Sequence, residues 1–178
     1  IAEKQGLEIM LLAPTNAAAE NLTNKTGVLA STIHSVIYTT EEIKGSNMIR
    51  FIEASIDEEN CEPTVWIIDE ASMISSIQSE NGKFISPSPL LHGLIKHIYK
   101  SNKNNKIVFV GDRYQLTPIG ETTSYALDSE WLKVELGLVS EVAELTEIMR
   151  QQSGSDILTA ATELKNAMIS GNHKFEGK

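Results

Sequence analysis

Residues 65–73 read Val-Trp-Ile-Ile-Asp-Glu-Ala-Ser-Met, and this stretch decides the fold of the chain. Four apolar, β-favouring residues end abruptly in two adjacent carboxylates, which small and polar residues follow. A buried parallel strand has this pattern when its carboxyl end delivers acids into a crevice. A strand whose end simply meets solvent, with an acidic pair starting a turn or a helix, has the same pattern. The stretch alone leaves both interpretations open.

The size and composition of the chain indicate one soluble domain. Its 178 residues suffice for one domain with a proper core and hardly for two. Hydrophobic residues make up 41% and charged residues 22%, as in ordinary globular proteins. No apolar run approaches the roughly 18 residues that span a bilayer, so we expect no membrane partner. The single cysteine, Cys61, can form no internal disulfide, which favours a reducing, cytoplasmic location.

The charge balance limits the ways in which this chain could bind a polyanion. Its formal net charge is -9 at pH 7. This argues against a nucleic-acid binder that works through bulk electrostatics. A local basic or polar groove stays open.

The remaining pattern alternates apolar runs with helical stretches. Two more runs predict buried strands, at 9–13 and 107–110, and a third, shorter run lies at 142–145. Helix-forming or amphipathic stretches occupy 17–22, 90–99 and 156–170. Strands separated by helices indicate an α/β domain with a mostly parallel sheet.

The segments between these elements are predicted to lie on the surface. Residues 39–63 are acidic and predict a solvated excursion that holds a short strand or helix. Residues 75–89 are rich in serine and contain the turn signal Asn81-Gly82, so we expect a surface insertion. Residues 121–137 predict a helical connection on the surface of the core.

Polar side chains follow each predicted strand, and functional groups of a parallel sheet gather at the carboxyl ends of its strands. An aspartate there can hold Mg²⁺ through water, and a neighbouring glutamate can deprotonate an attacking water. A glutamine can hydrogen-bond a terminal phosphate, and an arginine can stabilise charge in the transition state. We therefore expect a phosphate-and-magnesium site. The strand-end residues are Thr15, Asn16, Asp69, Glu70, Asp112, Gln115, Thr146 and Arg150.

Five segments in a fixed order extend this interpretation: APTNAAAENL, TIHS, IIDEASM, VGDRYQLTPIG and LTEIMRQ. The ordered set closely resembles the first motor domain of superfamily 1 helicases, and most closely the RecD-like and Dda-like branch. The resemblance covers roughly residues 7–170. It implies a three-layer, RecA-like P-loop NTPase fold and an ATP-dependent DNA helicase. In the intact parent, ATP and Mg²⁺ would drive movement along single-stranded DNA, 5′ to 3′ by family analogy.

The resemblance also assigns roles around the nucleotide. Asp69 and Glu70 match the Walker B pair, the aspartate that holds Mg²⁺ through water and the catalytic glutamate. Gln115 matches the glutamine that senses the γ-phosphate and couples it to the DNA groove. Arg150 matches the arginine that reaches the γ-phosphate. Asp112, at the same strand end as Gln115, is assigned with Asp69 to the bound cofactor.

Another group of residues matches the segments that line the single-strand path in the family: Pro14, Thr15, Asn16, Thr32, Ile33 and His34. Tyr114, beside Gln115, is a candidate to stack on a base. Each has a simpler alternative. Thr15 and Asn16 could only cap a helix, as Thr32 could, and His34 could be half-buried without a ligand. Arg150 could be merely solvated, and Trp66 and Trp131 are expected in or beside the core.

The sequence departs from the family at its most recognisable motif. No G-x-x-x-x-G-K-S/T occurs in the 178 residues, and the first residue, Ile1, reads as the tail of a helix. We therefore expect a single motor-domain fragment over 1–178 that lacks the Walker A strand and is inactive alone. Residues 155–178 would form a trailing helix toward a missing second domain. The missing strand would leave an exposed sheet edge for the rest of the helicase chain, or for self-association.

Two other functional classes are alternatives to the helicase. A non-catalytic RecA-like scaffold or DNA-binding module would have no need for Glu70, Gln115 and Arg150 together. A nuclease would need a second carboxylate cluster, and the sequence offers no convincing one. The helicase motor domain is the interpretation that uses all of these residues.

Overall fold

The computed structural model describes residues 7–56, 61–78, 80–81, 84–145 and 156–170. The chain forms two compact units, Ile1–Ser140 and Glu141–Lys178. In chain order the described strands are β1 (Glu8–Ala13), β2 (Ala30–Thr32), β3 (Tyr38–Glu42), β4 (Ile49–Glu53), β5 (Thr64–Ile68), β6 (Glu80–Asn81), β7 (Phe84–Ile85) and β8 (Lys106–Phe109). The described α-helices are α1 (Asn16–Thr26), α2 (Ile33–Ile37), α3 (Leu90–Ser101), α4 (Ser129–Leu136) and α5 (Asp156–Ile169).

Four strands form a parallel sheet, here called the main sheet, in the order β2-β1-β5-β8. Alternate residues of each strand point to opposite faces. Leu12, Trp66 and Ile68 pack on one face with helices α2 and α3, whereas Leu11 and Ile67 lie with α1 on the other. The sheet thus lies between two helical layers. The predicted three-layer α/β fold with a mostly parallel sheet is confirmed.

Helix α3 lies in the same layer as α2. Its residues Leu91, Leu94, Ile95 and Ile98 are buried, which is the spacing of one helical face. The predicted helix at 90–99 is therefore confirmed and extends to Ser101. Helix α4 buries Leu132, as expected of a helical connection lying on the core.

Asn105 ties the end of α3 to the amino end of β5. Its side chain is 2% exposed and satisfied in full: Oδ1 accepts from the Thr64 amide (2.8 Å), and Nδ2 donates to the Ile98 carbonyl (2.7 Å) and Ser101 Oγ (2.9 Å). Nearby, Asn102 Nδ2 donates to the Cys61 carbonyl (2.7 Å). These amides fix the amino-terminal edge of the main sheet.

A second sheet, in the order β3-β4-β7-β6, was not predicted. Part of it lies in the acidic stretch 39–63, where an excursion with one short element was expected. Its Phe51 packs on the core and stacks on Phe84, with ring centroids 5.7 Å apart. Strands β6 and β7 pair antiparallel, with Asn81 of the predicted turn in β6, and β7 also pairs with β4. The surface insertion expected over 75–89 stays a prediction.

Two further expectations differ from the structure at short elements. The run 142–145 forms no strand, and Val142 and Leu145 are 66% and 93% exposed. A strand needs a neighbour to satisfy its backbone groups, and no described strand pairs with this run. Conversely, β2 was missed because it has only three residues and runs directly into α2. Helix α5 confirms the helix predicted over 156–170.

Among the described strands, β8 lies at one edge of the main sheet. Val108 and Val110 are each 43% exposed, on the face that also carries Ile67. Purely parallel sheets are normally covered on both faces, so this apolar strip is unusual. No helix of the described residues is long and apolar enough to cross a membrane.

Candidate functional site

The carboxyl ends of β1, β5 and β8 are tied together by backbone hydrogen bonds. The Asp69 amide donates to the Leu12 carbonyl (2.9 Å) and the Val110 amide to the Ile68 carbonyl (2.8 Å). The Ala71 amide then donates to the Val110 carbonyl (2.9 Å). Asp69 and Glu70 therefore stand, half-buried, on the rim where the sequence placed them.

Glu70 has an unusual backbone conformation. Its φ is 51° and its ψ 38°, and it is the one non-glycine residue with positive φ in the described chain. A left-handed conformation costs a bulky residue about 1–3 kcal/mol and persists where the surroundings over-determine it. The 3₁₀ turn Ala71–Met73 follows at once, with Ala71 and Ser72 buried. The positive φ of Glu70 turns the chain from strand β5 into this 3₁₀ turn.

Gly111 lets the next loop approach this turn. A Cβ at Gly111 would lie 3.0 Å from the Ser72 nitrogen, 3.1 Å from Leu127 Cδ1 and 3.2 Å from the Ala71 nitrogen. The glycine is required by contact with backbone and not by its own dihedral angles. The loop that begins after β8 therefore starts against the backbone that follows Glu70.

That loop brings Gln115 to the same rim. Asp112 Oδ1 accepts from the Tyr114 amide (2.9 Å), and the Gln115 amide donates to the Asp112 carbonyl (3.1 Å), so Asp112 opens a tight turn. Between this loop and the 3₁₀ turn lies a cavity of about 410 Å³, here called the β5–β8 cavity. It is lined by Ser72, Met73, Tyr114, Gln115 and Leu116.

Ser72 is a site residue that sequence reasoning missed. It is 1% exposed, and its Oγ has no hydrogen-bond partner among the described residues. A buried hydroxyl without a partner costs about 1–3 kcal/mol, so it marks a place where a ligand atom or water can bind. The signal available in the sequence was its position directly after the acidic pair and one alanine.

The oxygen donors at this rim suit magnesium only together with a nucleotide. Mg²⁺ keeps several waters and is bound through one or two carboxylates plus substrate phosphates. Asp69 supplies such a carboxylate, whereas no group of three His, Cys, Asp or Glu residues in the described chain could hold a metal by itself. The donor set fits the expected MgATP and does not fit a resident structural metal.

A separate groove lies beside β1 and β2, and two of the residues expected on the DNA path, Asn16 and Thr32, line it. This groove, here called the helix-cap groove, has a volume of about 430 Å³. Thr15 caps α1 by accepting from the Ala18 amide (3.2 Å), and Pro14 lies in the turn before it. Thr32 caps α2 in the same way through the Ser35 amide (3.2 Å). The lining is Asn16, Ala19, Glu20, Thr23, Leu29, Ala30, Ser31, Thr32 and Ser35.

The structure thus shows that Thr15 and Thr32 are helix caps, and whether they also touch DNA stays a prediction. His34 packs its ring against Phe51 (centroids 5.5 Å apart) and Tyr38 (6.1 Å). Burial lowers the pKa of His34 below its usual value, because desolvation disfavours the charged imidazolium. It is the half-buried histidine of the simpler alternative, and its contact with DNA also stays a prediction. Trp66 is buried and Trp131 half-buried, as expected.

Arg150 and Thr146 lie outside the described residues, so the structure assigns no place to them. The main sheet otherwise gathers the predicted polar residues at one end and divides them between two places. The carboxyl ends of β5 and β8, here called the β5–β8 rim, carry Asp69, Glu70, Asp112 and Gln115. The helix-cap groove is lined by Asn16 and Thr32, and Thr15 caps the helix that begins at Asn16.

Comparison with known proteins agrees with this arrangement. A family model described as an AAA domain matches residues 1–176. An uncharacterised protein of Acanthamoeba polyphaga mimivirus is 28% identical over 164 residues. That match covers 90% of this chain and 28% of the viral protein, so the chain spans only a part of the curated relative's length. Because the family model covers almost the whole chain and the three-layer parallel fold fits it, this chain belongs to the AAA domain family of helicase-like P-loop NTPases.

Proposed function

We propose that this chain is the first motor domain of an ATP-dependent DNA helicase of superfamily 1, in the RecD-like branch. The observation that carries the proposal is the meeting of strand ends at one rim. There the Ala71 amide donates to the Val110 carbonyl, and Gln115 lines the same cavity as Ser72, which follows Glu70 by two residues. A scaffold would gain nothing from a glutamate held in a left-handed conformation at this strand end.

The residues of the β5–β8 rim divide the work of hydrolysis. MgATP, when bound, supplies the reactive phosphoryl group and a cation that neutralises its charge. Asp69 would hold the metal ion through water, and Glu70 would accept a proton from the attacking water. Gln115 faces the same cavity and orients that water or the terminal phosphate. Arg150 is assigned, from the family resemblance, to the charge that develops in the transition state.

The proposal assigns the phosphate-binding loop to another segment of the full-length protein, since the 178 residues contain no G-x-x-x-x-G-K-S/T. The exposed strip at β8 supports one place for that segment. An added parallel strand would pair with the outer edge of β8, and its following helix would cover Val108 and Val110. The same strip would promote self-association if it stayed bare.

Single-stranded DNA is assigned to the carboxyl-end surface that includes the helix-cap groove. Pro14, Thr15, Asn16, Thr32 and His34 lie on the two turns that enter α1 and α2. The amino end of a helix attracts a phosphate group through its free amides, and hydroxyls add donors. With a net charge of -9, binding depends on such local contacts and weakens as salt rises.

The test is steady-state hydrolysis of MgATP by the full-length protein, with and without a single-stranded oligonucleotide. Glu70→Gln keeps the shape of the side chain but removes the base, so we expect turnover to fall by about 10²–10⁴-fold. Binding of a fluorescent ATP analogue should persist, because Glu70 is not needed to hold the phosphates. Glu135→Gln, an exposed glutamate on α4, is the matched control.

The competing candidate is a RecA-like module that binds DNA without turnover. The two are separated by the same assay. Oligonucleotide binding without any hydrolysis by the full-length protein would establish the scaffold and remove the helicase. Equal, measurable turnover in Glu70→Gln would remove the catalytic role of Glu70.

A further inference from the structure

The loop 111–121 is held at both of its ends to the chain that follows Glu70. At its beginning, Gly111 lies against the backbone of Ala71 and Ser72. At its end, the Glu121 carboxylate accepts hydrogen bonds from Ser75 and Ser76, which follow soon after the 3₁₀ turn Ala71–Met73. Gln115 lies midway between the two attachments. Its position across the β5–β8 cavity therefore depends on both.

Glu121 makes the second attachment with its whole carboxylate. Its Oε1 accepts from Ser75 Oγ (2.7 Å) and from the Ser76 amide (2.9 Å), and its Oε2 accepts from Ser76 Oγ (2.6 Å). Hydrogen bonds to an ionised acceptor are short and about twice as strong as neutral ones. Ser75 Oγ also lies 3.0 Å from the Ile77 carbonyl, so its proton is shared. Ser76 is consequently the firmer partner.

The two sides of this contact differ in rigidity. The serines are anchored to the core, because Ile74 is fully buried and the Leu91 amide of α3 donates to the Ser75 carbonyl (3.0 Å). On the loop side, the Glu121 amide donates to the Pro118 carbonyl (3.0 Å). Thr117 Oγ1 donates to the Glu121 carbonyl (2.8 Å). Glu121 thus fixes the whole turn 117–121 to a rigid support.

We propose that Glu121 is a positioning residue for Gln115. Its carboxylate holds the loop at the distance that lets the Gln115 carboxamide act across the β5–β8 cavity, behind Glu70. This role rests on the proposed function. Glu121 lies outside the five motif segments, and so do the serines that it contacts, Ser75 and Ser76. Loss of the contact leaves Gln115 attached at one end only.

The kinetic test uses three variants of the full-length protein, Glu121→Ala, Gln115→Ala and the double variant. A misplacement of about 1 Å can cost about 100-fold in rate. We expect Glu121→Ala to lower kcat for DNA-stimulated hydrolysis by at least about tenfold, with little change in KM. The double variant should be no slower than Gln115→Ala, because residues that act as a unit are not additive. Losses that multiply would overturn the proposal, since a merely structural effect would add to that of Gln115.

A second measurement needs no nucleotide. Amide hydrogen exchange should speed up at Gln115 and Glu121, whose amides bond within the loop, in both Glu121→Ala and Ser76→Ala. Glu121→Gln, which keeps the volume and one acceptor oxygen, should fall between Glu121→Ala and the parent. Glu135→Ala should exchange like the parent. Unchanged exchange in Glu121→Ala would overturn the proposal even if its turnover fell.

These results separate the two proposals. A wild-type protein without ATPase activity would remove the proposed function, while faster exchange would still establish the attachment. An active wild type whose Glu121→Ala variant keeps its kcat would remove only the positioning role.

Discussion

Buried polar side chains at the two ends of the main sheet, Asn105 and Ser72, differ in their hydrogen bonding. At the amino ends, Asn105 is buried and every polar atom of its side chain is paired. At the carboxyl ends, Glu70 is held in a left-handed conformation, and Ser72 Oγ is buried without a partner among the described residues. Natural proteins satisfy nearly all buried polar groups, so exceptions call for an explanation. Of the five unpaired buried side-chain atoms of the described residues, only Ser72 Oγ belongs to a residue that lines the β5–β8 cavity or the helix-cap groove, the others belonging to Tyr38, Trp66, His92 and Ser124. Asn105 thus stabilises the fold at one end, whereas Ser72 lines a cavity at the other.

The largest effect on stability is expected at the amino end. Asn105→Ala leaves the Thr64 amide without its acceptor and removes the hydrogen bonds to the Ile98 carbonyl and Ser101 Oγ, which should lower the free energy of unfolding by about 3 kcal/mol. The exposed neighbour in Asn104→Ala should change it by less than about 0.5 kcal/mol. Urea denaturation measures both. A drop for Asn105→Ala no larger than that of Asn104→Ala would contradict the structural role of this end.

An intermediate effect is expected at the carboxyl end, where Gly111→Ala inserts a Cβ against backbone atoms of Ala71 and Ser72. Because backbone cannot move aside cheaply, we expect a loss of about 2 kcal/mol in unfolding free energy together with a fall in ATP turnover. Gly45→Ala is the matched control. Its φ is +82° and nothing lies within 4 Å, so it tests backbone strain alone. Equal turnover in both glycine variants would show that the close approach at Gly111 does not shape the rim.

This contrast also explains how much of the molecule could be predicted from sequence. Strands β1, β5 and β8 and helix α3 carry strong hydrophobic patterns, and they were predicted to within a few residues. So was the grouping of polar residues at one edge, since it follows from parallel strand direction alone. The three-residue strand β2 and the second sheet depend on pairing between distant segments, which no local pattern reports.

The details of the site were less accessible for the same reason. Asp69 and Glu70 could be placed because a buried strand ends at them. The left-handed backbone of Glu70, by contrast, depends on the turn packed against Gly111. The contact of Glu121 with Ser76 joins segments 45 residues apart through side chains that are ordinary surface types. Caps are local, so Thr32 was identified as one and Thr15 was one of two candidates.

A smaller effect separates capping from DNA binding at Thr15. Thr15→Ala should cost about 1 kcal/mol, because the Ala18 amide loses its acceptor. Thr15→Asp keeps a good cap and adds a negative charge beside the proposed phosphate path. We expect it to fold as stably as the parent and to bind single-stranded DNA about tenfold more weakly. Fluorescence anisotropy with a labelled oligonucleotide measures this, and unchanged affinity in Thr15→Asp would leave Thr15 with its capping role alone.

The smallest effect concerns His34, which lies at the carboxyl end but is surrounded by rings like a core residue. Burial lowers the pKa of His34 in the folded state, so between that pKa and the ordinary value of about 6.5 the unfolded chain binds more protons. The contribution of His34 to the free energy of unfolding is therefore complete above about pH 6.5 and is lost as the pH falls below it. His97 acts in the same direction, because burial and Lys100 lower its pKa more than Glu53 raises it. His34→Gln should flatten the pH dependence measured by urea denaturation between about pH 8 and pH 5.5, above the range in which carboxylates titrate, and His97→Gln should remove the remainder. An unaltered slope in His34→Gln would mean that the His34 ring is solvated. The ring would then be accessible to a ligand at the carboxyl end of the main sheet.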